Sequence, residues 1–247
     1  MFPELHIFSV IIPMYVICVA TGFLVGTIIL YLDFYKIHID EKYVFRVMCF
    51  VEIGVIIGGK LLYLVVNISK LQRYFYSFGF AGIFTKSGFV FYGGLLVGIL
   101  SVWIFSKVYK QSFTDFLIYE LSVASVIHAF GRLGCFFAGC CYGIRHDGLL
   151  SIYINGAKRF PVQLLESFLL IFLFFILQLF LFKRKSNVIP SYFFGYGLIR
   201  IICESLRGDV TRGFIGKFSI STWISIFCMV ISIIFIFISR KSGDNKK

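Results

Sequence analysis

The chain has little proline, few acidic residues and little charge of either sign. It contains 4 Pro and 12 Asp or Glu among 247 residues, and only 15% of its residues are charged. Scarce proline and scattered glycine exclude a collagen-like chain and a low-complexity disordered one. No Pro-, Gly- or Ser-rich linker interrupts the sequence. One domain covering residues 1–247 is therefore expected.

Hydrophobic residues make up 59% of the chain and aromatic residues 19%, and the mean hydropathy is +0.92. Ordinary soluble domains are far less apolar. A membrane-spanning helix needs about 20 apolar residues. Seven candidate segments are predicted: 8–32, 44–66, 88–106, 116–135, 162–182, 190–206 and 218–239. The expected fold is an all-α polytopic integral membrane protein, with its helices around a lipid-accessible cavity.

The polarity of the individual segments refines this expectation. The segment 8–32 is too long for the core of a signal peptide and lacks a small-residue cleavage site, so it is interpreted as a retained helix. The segments 116–135 and 190–206 are the least hydrophobic and contain the most polar motifs. They are expected to line the cavity rather than face lipid.

The net charge of +12 comes from cations that lie between apolar segments. This arrangement favours contact with anionic lipid headgroups over nucleic acid. The two sides of the predicted bundle contain nearly equal numbers of Lys and Arg. Cation density is higher on the side with the shorter loops, at 33–46, 107–115, 183–189 and 240–247. The N-terminus is therefore predicted outside and the C-terminus in the cytoplasm.

The most informative motif is HAFGRLGCFFAGCCYG, residues 128–143, where a membrane helix should end. An ionisable group at mid-bilayer costs roughly 2.5–3.5 kcal/mol on insertion scales, so function is the default hypothesis. Arg132 follows His128 by one helical turn, so both side chains share a face. The guanidinium is a candidate phosphate ligand because it can donate to two phosphate oxygens. The alternative is an arginine that extends to the membrane interface.

A second motif, YGLIRIICESLRGD, covers residues 196–209. Tyr196, Arg200 and Glu204 recur every fourth residue and form one polar stripe on an apolar helix. Either Arg200 and Glu204 form a structural pair, as buried charges usually do, or Glu204 orients Arg200 for function. Weaker polar clusters occur in FVFYGG at 89–94, GGKLLY at 58–63 and RFPVQLLES at 159–167.

Three of the seven cysteines, Cys135, Cys140 and Cys141, lie close together in the sequence. Their spacing differs from the CxxC pattern of common zinc sites, so no metal and no organic cofactor are predicted. A disulfide or simple packing in a glycine-rich turn is compatible with the pattern. A membrane thiol–disulfide oxidoreductase using these three cysteines is the alternative function.

The motifs together resemble the prolipoprotein diacylglyceryl transferase family of bacterial membrane enzymes. The matching segments follow the family order over nearly the whole chain. They are FPE at 2–4, MY at 14–15, GGK at 58–60, SGFVFYGG at 87–94, GRLGCFFAGCCYG at 131–143, PVQLLE at 161–166 and YGLIRIICESLR at 196–207.

The resemblance implies transfer of the diacylglyceryl group of phosphatidylglycerol to the lipobox cysteine of a preprolipoprotein, in the bacterial cytoplasmic membrane. Glycerol phosphate would leave, and Arg132 and Arg200 would stabilise its charge. The predicted catalytic residues are Arg132, Arg200, His128, Tyr92 and Glu204. The predicted substrate-binding residues are Tyr15, Lys60, Gly93, Gly94, Gly131, Gly134, Gly143 and Tyr196.

The chain departs from the family pattern at three positions. Tyr92 stands where the family usually has histidine, and Cys135 and Cys140 stand where it has asparagine and an acidic residue. Tyrosine, with an ordinary pKa of about 10, is a poor base near neutral pH. We therefore expect His128 to assume or share the role of general base. A divergent paralogue that transfers lipid to another acceptor remains a further alternative.

Overall fold

The computed structural model describes residues 3–7, 10–68, 75–76, 79, 89–154, 156–209 and 213–244. Seven α-helices occur within these ranges: α1 Met14–Lys36, α2 Glu41–Val66, α3 Phe91–Tyr109, α4 Phe113–Phe137, α5 Val162–Lys183, α6 Val188–Ser205 and α7 Ile220–Asp244. Three antiparallel hairpins accompany them: β1 Glu4–Ile7 with β2 Val10–Pro13, β3 Ile152–Ile154 with β4 Ala157–Arg159, and β5 Phe214–Ile215 with β6 Phe218–Ser219.

The predicted all-α membrane fold is confirmed. Within the described ranges, five helices are long and apolar enough to cross a membrane, namely α1 to α5. The apolar part of α7, Ile220–Ile236, is shorter. Helix α6 is less apolar because it carries Arg200 and Glu204. The chain is therefore a multi-pass membrane protein.

The predicted start of the first span is wrong. Helix α1 begins at Met14, and the residues before it form the β1–β2 hairpin, in which Glu4 pairs with Pro13. The β-branched Ile11 and Ile12 favour the extended conformation. Residues 8 and 9 of the predicted span, and residue 88 of the third, lie outside the described residues. The other helix ends shift by a few residues.

Internal contacts divide the chain into two compact units, Leu30–Leu117 and Met1–Ile29 with Ile118–Lys247. In the unit formed by Leu30–Leu117, glycines allow α2 and α3 to pack closely. A Cβ atom added at Gly58 would overlap the carbonyl oxygen of Gly93, and one added at Gly98 would lie 2.9 Å from a methyl carbon of Val55. That one domain covers the whole chain stays a prediction.

In the unit formed by Met1–Ile29 and Ile118–Lys247, a glycine likewise allows α1 and α4 to pack closely. A Cβ atom added at Gly22 would lie 2.7 Å from the Cβ of Phe130. Helix α5 joins α4 through a hydrogen bond of 3.0 Å from Ser167 Oγ to the carbonyl oxygen of Ala129. This packing brings the polar residues of α4 and α5 to one place.

Candidate active site

One carboxylate joins the two arginines singled out in the sequence. Glu166 Oε1, on α5, lies 3.0 Å from Arg132 Nη2 on α4 and 3.4 Å from Arg200 Nη1 on α6. The Glu166 side chain is 2% exposed, against 11% for Arg132 and 6% for Arg200. Three helices therefore bring two guanidinium groups and one carboxylate together in a buried site.

The ion pairs continue along α6 and the segment that follows it. Arg200 Nη2 lies 2.7 Å from Glu204 Oε2, which is also 3.7 Å from Arg207 Nη1. Arg207 donates through Nε and Nη2 to the two carboxylate oxygens of Asp209, at 2.8 and 2.6 Å. Burial disfavours the charged form of Arg207, but the Asp209 hydrogen bonds and neighbouring charges raise its pKa overall. Positive and negative groups thus alternate from Arg132 to Asp209.

A second bond holds Arg200 from α7. Its Nη2 donates to Ser221 Oγ at 3.2 Å, in addition to its contacts with Glu166 and Glu204. Arg200 is thereby fixed by groups on three helices. An arginine held from several sides presents its donors in one geometry and loses little entropy when it binds an anion.

Arg132 retains a donor that the described residues do not satisfy. Its Nε is buried and has no hydrogen-bond partner within the described part of the chain. Buried polar groups are nearly always hydrogen-bonded, so such a donor is a candidate contact for a ligand acceptor. The neighbouring Gly131 leaves room, because a Cβ atom added there would meet nothing within 4 Å. This arrangement suits an oxyanion.

His128 and Tyr196 lie in the same compact unit and contact each other. Their ring centroids are 5.3 Å apart, and Tyr196 also stacks on Tyr192 with centroids 6.2 Å apart. Tyr196 is 5% exposed. His128 therefore contacts α6, the helix that also carries Arg200, and its role as general base stays a prediction.

Tyr15 and Gly134 meet where α1 crosses α4. A Cβ atom added at Gly134 would lie 2.9 Å from Tyr15 Cδ2 and 3.1 Å from its Cα. Tyr15 thus occupies the space beside Gly134, and the predicted contact of Gly134 with substrate stays a prediction. The small residue lets the two helices approach closely enough to place Tyr15 in this region.

Gly143 is also filled by neighbouring backbone. A Cβ atom there would overlap the carbonyl oxygen of Phe160 and lie 3.1 Å from that of Leu206. Arg159 Nη1 donates to the Gly143 carbonyl at 3.3 Å, and Gly143 pairs with Arg207 in an isolated β-bridge. Gly143 thus positions the loop beside Arg207, and its predicted contact with substrate stays a prediction.

Four predicted residues lie in the unit Leu30–Leu117. Lys60 is part-exposed on α2, and Tyr92 is part-exposed at the start of α3. Gly93 abuts Gly58, while a Cβ atom at Gly94 would lie 3.0 Å from Phe89 Cζ. These glycines form the α2–α3 contact. That Lys60 and Tyr92 act on the same substrate as the arginines stays a prediction.

The last turn of α4 and the loop after it bring three thiols together. The Sγ atoms of Cys135, Cys140 and Cys141 all lie within 4.8 Å of one another. All seven cysteines are free thiols. Hydrogen bonds from the other two thiols, together with the charges of Arg132 and Arg207, lower the pKa of the Cys141 thiol. Although the sequence spacing of these cysteines differs from that of common zinc sites, their sulfur atoms form a compact cluster.

The structure adds residues that sequence reasoning did not assign to the site. Glu166 links both arginines, while Arg207 and Asp209 extend the ion pairs. The sequence indicates Glu166 only as a lone carboxylate in an apolar helix. Such a carboxylate is a candidate site residue because a buried charge needs a partner. For Arg207 and Asp209 the signal was their proximity in sequence to the stripe on α6.

Helices that span a membrane, and a buried site with a free guanidinium donor, define a membrane enzyme that handles an anionic substrate. The family model for prolipoprotein diacylglyceryl transferase matches residues 4–238. The chain belongs to that family. The transferase prediction is confirmed, and the oxidoreductase alternative has no support.

Individual relatives agree with this assignment. The chain is similar to a phosphatidylglycerol–prolipoprotein diacylglyceryl transferase of Clostridium tetani, with 33% identity over 90% of this chain and 91% of the relative. An enzyme of the same name from Helicobacter hepaticus is 33% identical over 79% of this chain and 74% of the relative. The second transferase of Clostridium perfringens is 28% identical over 83% and 82%.

Proposed function

We propose that the chain transfers the diacylglyceryl group of phosphatidylglycerol to the thiol of a lipobox cysteine in a preprolipoprotein, and releases glycerol phosphate. The names of the relatives given above identify phosphatidylglycerol and prolipoprotein as their substrates. The observation that carries the proposal is the buried Nε of Arg132, which lacks a partner among the described residues. A phosphate oxygen is the acceptor that this donor suits best.

The chemistry requires a nucleophile, a leaving group and a place for new charge. The substrate thiol supplies the nucleophile as a thiolate, so the enzyme needs none of its own. The thiolate attacks the glyceryl carbon, and the carbon–oxygen bond to the phosphate breaks. The phosphodiester carries one negative charge and the departing glycerol phosphate carries two. Fixed donors in a water-poor site stabilise that added charge.

Arg132 and Arg200 perform this stabilisation in our proposal. Arg132 contacts the phosphate directly through Nε, and Glu166 and Glu204 hold the two guanidinium groups in place. Because the donors are positioned before the substrate arrives, little reorganisation is needed in the transition state. Glu204 therefore serves as a positioning residue for Arg200.

Further residues complete the proposed site. Tyr15, Tyr196 and Gly131 would lie beside the lipid headgroup. Lys60 and Tyr92 are further candidates for contact with substrate. We place the enzyme in the bacterial cytoplasmic membrane as one transferase domain. The cation density of the short loops supports a C-terminus in the cytoplasm and an N-terminus outside.

The test is transfer by the purified chain in detergent. Phosphatidylglycerol with labelled acyl chains and a lipobox peptide should yield labelled peptide and an equal amount of glycerol phosphate. A peptide with serine in place of the cysteine should yield neither. Arg200→Ala should abolish transfer, and the wild-type chain should rescue a transferase-depleted bacterium. Stable protein that binds the lipid yet modifies no lipobox cysteine would instead identify a paralogue with another acceptor.

His128→Gln is expected to lower the turnover number for transfer by about 10²–10⁴, the usual contribution of a general base. Glutamine keeps a hydrogen-bonding amide but cannot accept the thiol proton. The measurement is the pH dependence of transfer. The rise in rate with pH that reflects deprotonation of this base should disappear in the variant.

His146→Gln provides the matched control, because His146 is exposed in the loop after α4. It should retain the wild-type rate and pH profile. Full activity of the His128 variant at every pH would remove His128 from the reaction.

A further inference from the structure

The three clustered thiols have a geometry close to that of a metal centre. In a tetrahedral zinc site with Zn–S bonds of about 2.3 Å, the sulfur atoms lie about 3.8 Å apart. The Sγ atoms of Cys135, Cys140 and Cys141 are already within 4.8 Å of one another. Small rotations of the three side chains would therefore complete the triad.

The loop that carries Cys140 and Cys141 is held in an uncommon conformation. Cys141 has φ +55° and Gly139 has φ +69°, both in the left-handed region. A non-glycine residue there is uncommon and costs free energy, and such strain concentrates at functional sites. Gln163 Nε2, from α5, donates to the carbonyl oxygen of Cys140 at 2.7 Å and fixes the turn. The fold thus maintains this grouping of sulfurs.

Packing alone does not account for the cluster. Cys140 is exposed, and Cys135 and Cys141 are part-exposed, whereas packing cysteines are usually fully buried. Exposed thiols with thiolate character are readily oxidised, so three of them together are a liability without a ligand. Thiolates are the ligands that favour soft metals such as zinc.

We propose that Cys135, Cys140 and Cys141 bind one Zn²⁺ and leave its fourth position open for the cysteine thiol of the substrate. Zinc sites that perform chemistry have three protein ligands and one exchangeable position. This proposal rests on the transferase function proposed above, and it adds a metal to the groups that activate the substrate thiol.

The position of the cluster relative to Arg132 suits this role. Cys135 follows Arg132 by three residues on α4, so their side chains are neighbours about 5–6 Å apart at Cβ. The reacting carbon is bonded to an oxygen of the phosphate that Arg132 would hold. A sulfur on the metal could therefore come within about 3–3.5 Å of that carbon, the separation of a near-attack geometry.

The transfer step balances without an oxidant. The peptide thiol binds Zn²⁺ as a thiolate while His128 accepts its proton, because coordination to the metal favours the deprotonated thiol, and His128 then releases the proton to water. The thiolate forms a carbon–sulfur bond as the carbon–oxygen bond breaks, and the bonding electrons leave with glycerol phosphate. The product sulfur is a neutral thioether, a weaker ligand than thiolate, so it leaves the metal. Zinc stays Zn²⁺ throughout.

The test measures metal binding separately from lipid transfer. The full chain, purified in detergent with reduced thiols, should contain one zinc per chain with three sulfur neighbours at about 2.3 Å by X-ray absorption. A lipobox peptide should add a fourth sulfur, and a peptide with serine should not. Removing zinc with a chelator should abolish transfer, and added Zn²⁺ should restore it.

Variants locate the site. Cys135→Ser, Cys140→Ser and Cys141→Ser should each lose stoichiometric zinc. Cys49→Ser and Cys228→Ser are the matched controls, because both cysteines lie on other helices, α2 and α7, and should keep one zinc. The wild-type absorption spectrum tests the site even where a variant does not fold.

Several results would overturn the proposal. They are an active enzyme without zinc, a disulfide among the three thiols in the active enzyme, bound copper in place of zinc, or a metal whose ligands do not change with the cysteine peptide. Zinc bound with a fourth sulfur from the peptide, but no lipid transferred, would refute the proposed function and leave the metal site standing.

Discussion

Replacing Arg132 with lysine is expected to lower the rate of diacylglyceryl transfer by about 10²–10³, the usual cost of removing one preorganised donor to a developing oxyanion. Lysine retains the positive charge and can still reach Glu166. It has no counterpart of the buried Nε, which is the donor assigned to the phosphate. The measurement is the turnover number at saturating phosphatidylglycerol in detergent.

Arg145→Lys is the control for this substitution, because Arg145 is exposed in the loop after α4. It should leave transfer unchanged. The two variants should unfold at similar temperatures, since the lysine introduced by Arg132→Lys can maintain the pair with Glu166. Equal rates for Arg132→Lys and the wild type would mean that charge alone suffices and that Nε does not bind the phosphate.

Glu166→Gln is expected to impair both stability and transfer. The carboxylate lies within 3.4 Å of both guanidinium groups, and its neutralisation leaves two buried positive groups with one fewer partner. Breaking a buried ion pair typically costs about 3–5 kcal/mol. The thermal midpoint of unfolding should fall, and transfer should nearly disappear even below that temperature because Arg132 loses its carboxylate partner and Arg200 loses one of the three groups that hold it.

Glu52→Gln is the matched control, since Glu52 lies on α2 and is only part-buried. It should shift the midpoint little and preserve transfer. The Glu166 assignment would be wrong if Glu166→Gln matched this control in both measurements. Loss of stability with full transfer by the remaining folded protein would show that Glu166 supports the fold without positioning the arginines.

Local spacing was enough to find Arg200 and Glu204 and to place His128 near Arg132. Residues four apart on a helix share a face, so their contact follows from sequence. The helical class and five of the seven predicted spans also followed among the described residues, because about 20 apolar residues dictate a spanning helix in lipid. The two arginines were each recognised as charges that an apolar segment would not carry without a reason.

Contacts between residues far apart in the sequence cannot be predicted from local spacing. Glu166 and Arg200 are separated by 34 positions, and only packing of α5 against α6 joins them. The thiol cluster depends on left-handed backbone at Gly139 and Cys141, which a spacing rule for zinc sites does not include. The β1–β2 hairpin was missed because a short apolar strand and the end of an apolar helix share the same composition.

The alternating ion pairs have a consequence for product release. Three guanidinium groups and three carboxylates follow one another from Arg132 to Asp209, so their formal charges cancel. A phosphodiester brings this group to a charge of minus one, and the dianionic product brings it to minus two. The site thus attracts the product less than an uncompensated pair of arginines would. Such a balance favours turnover over tight retention of glycerol phosphate.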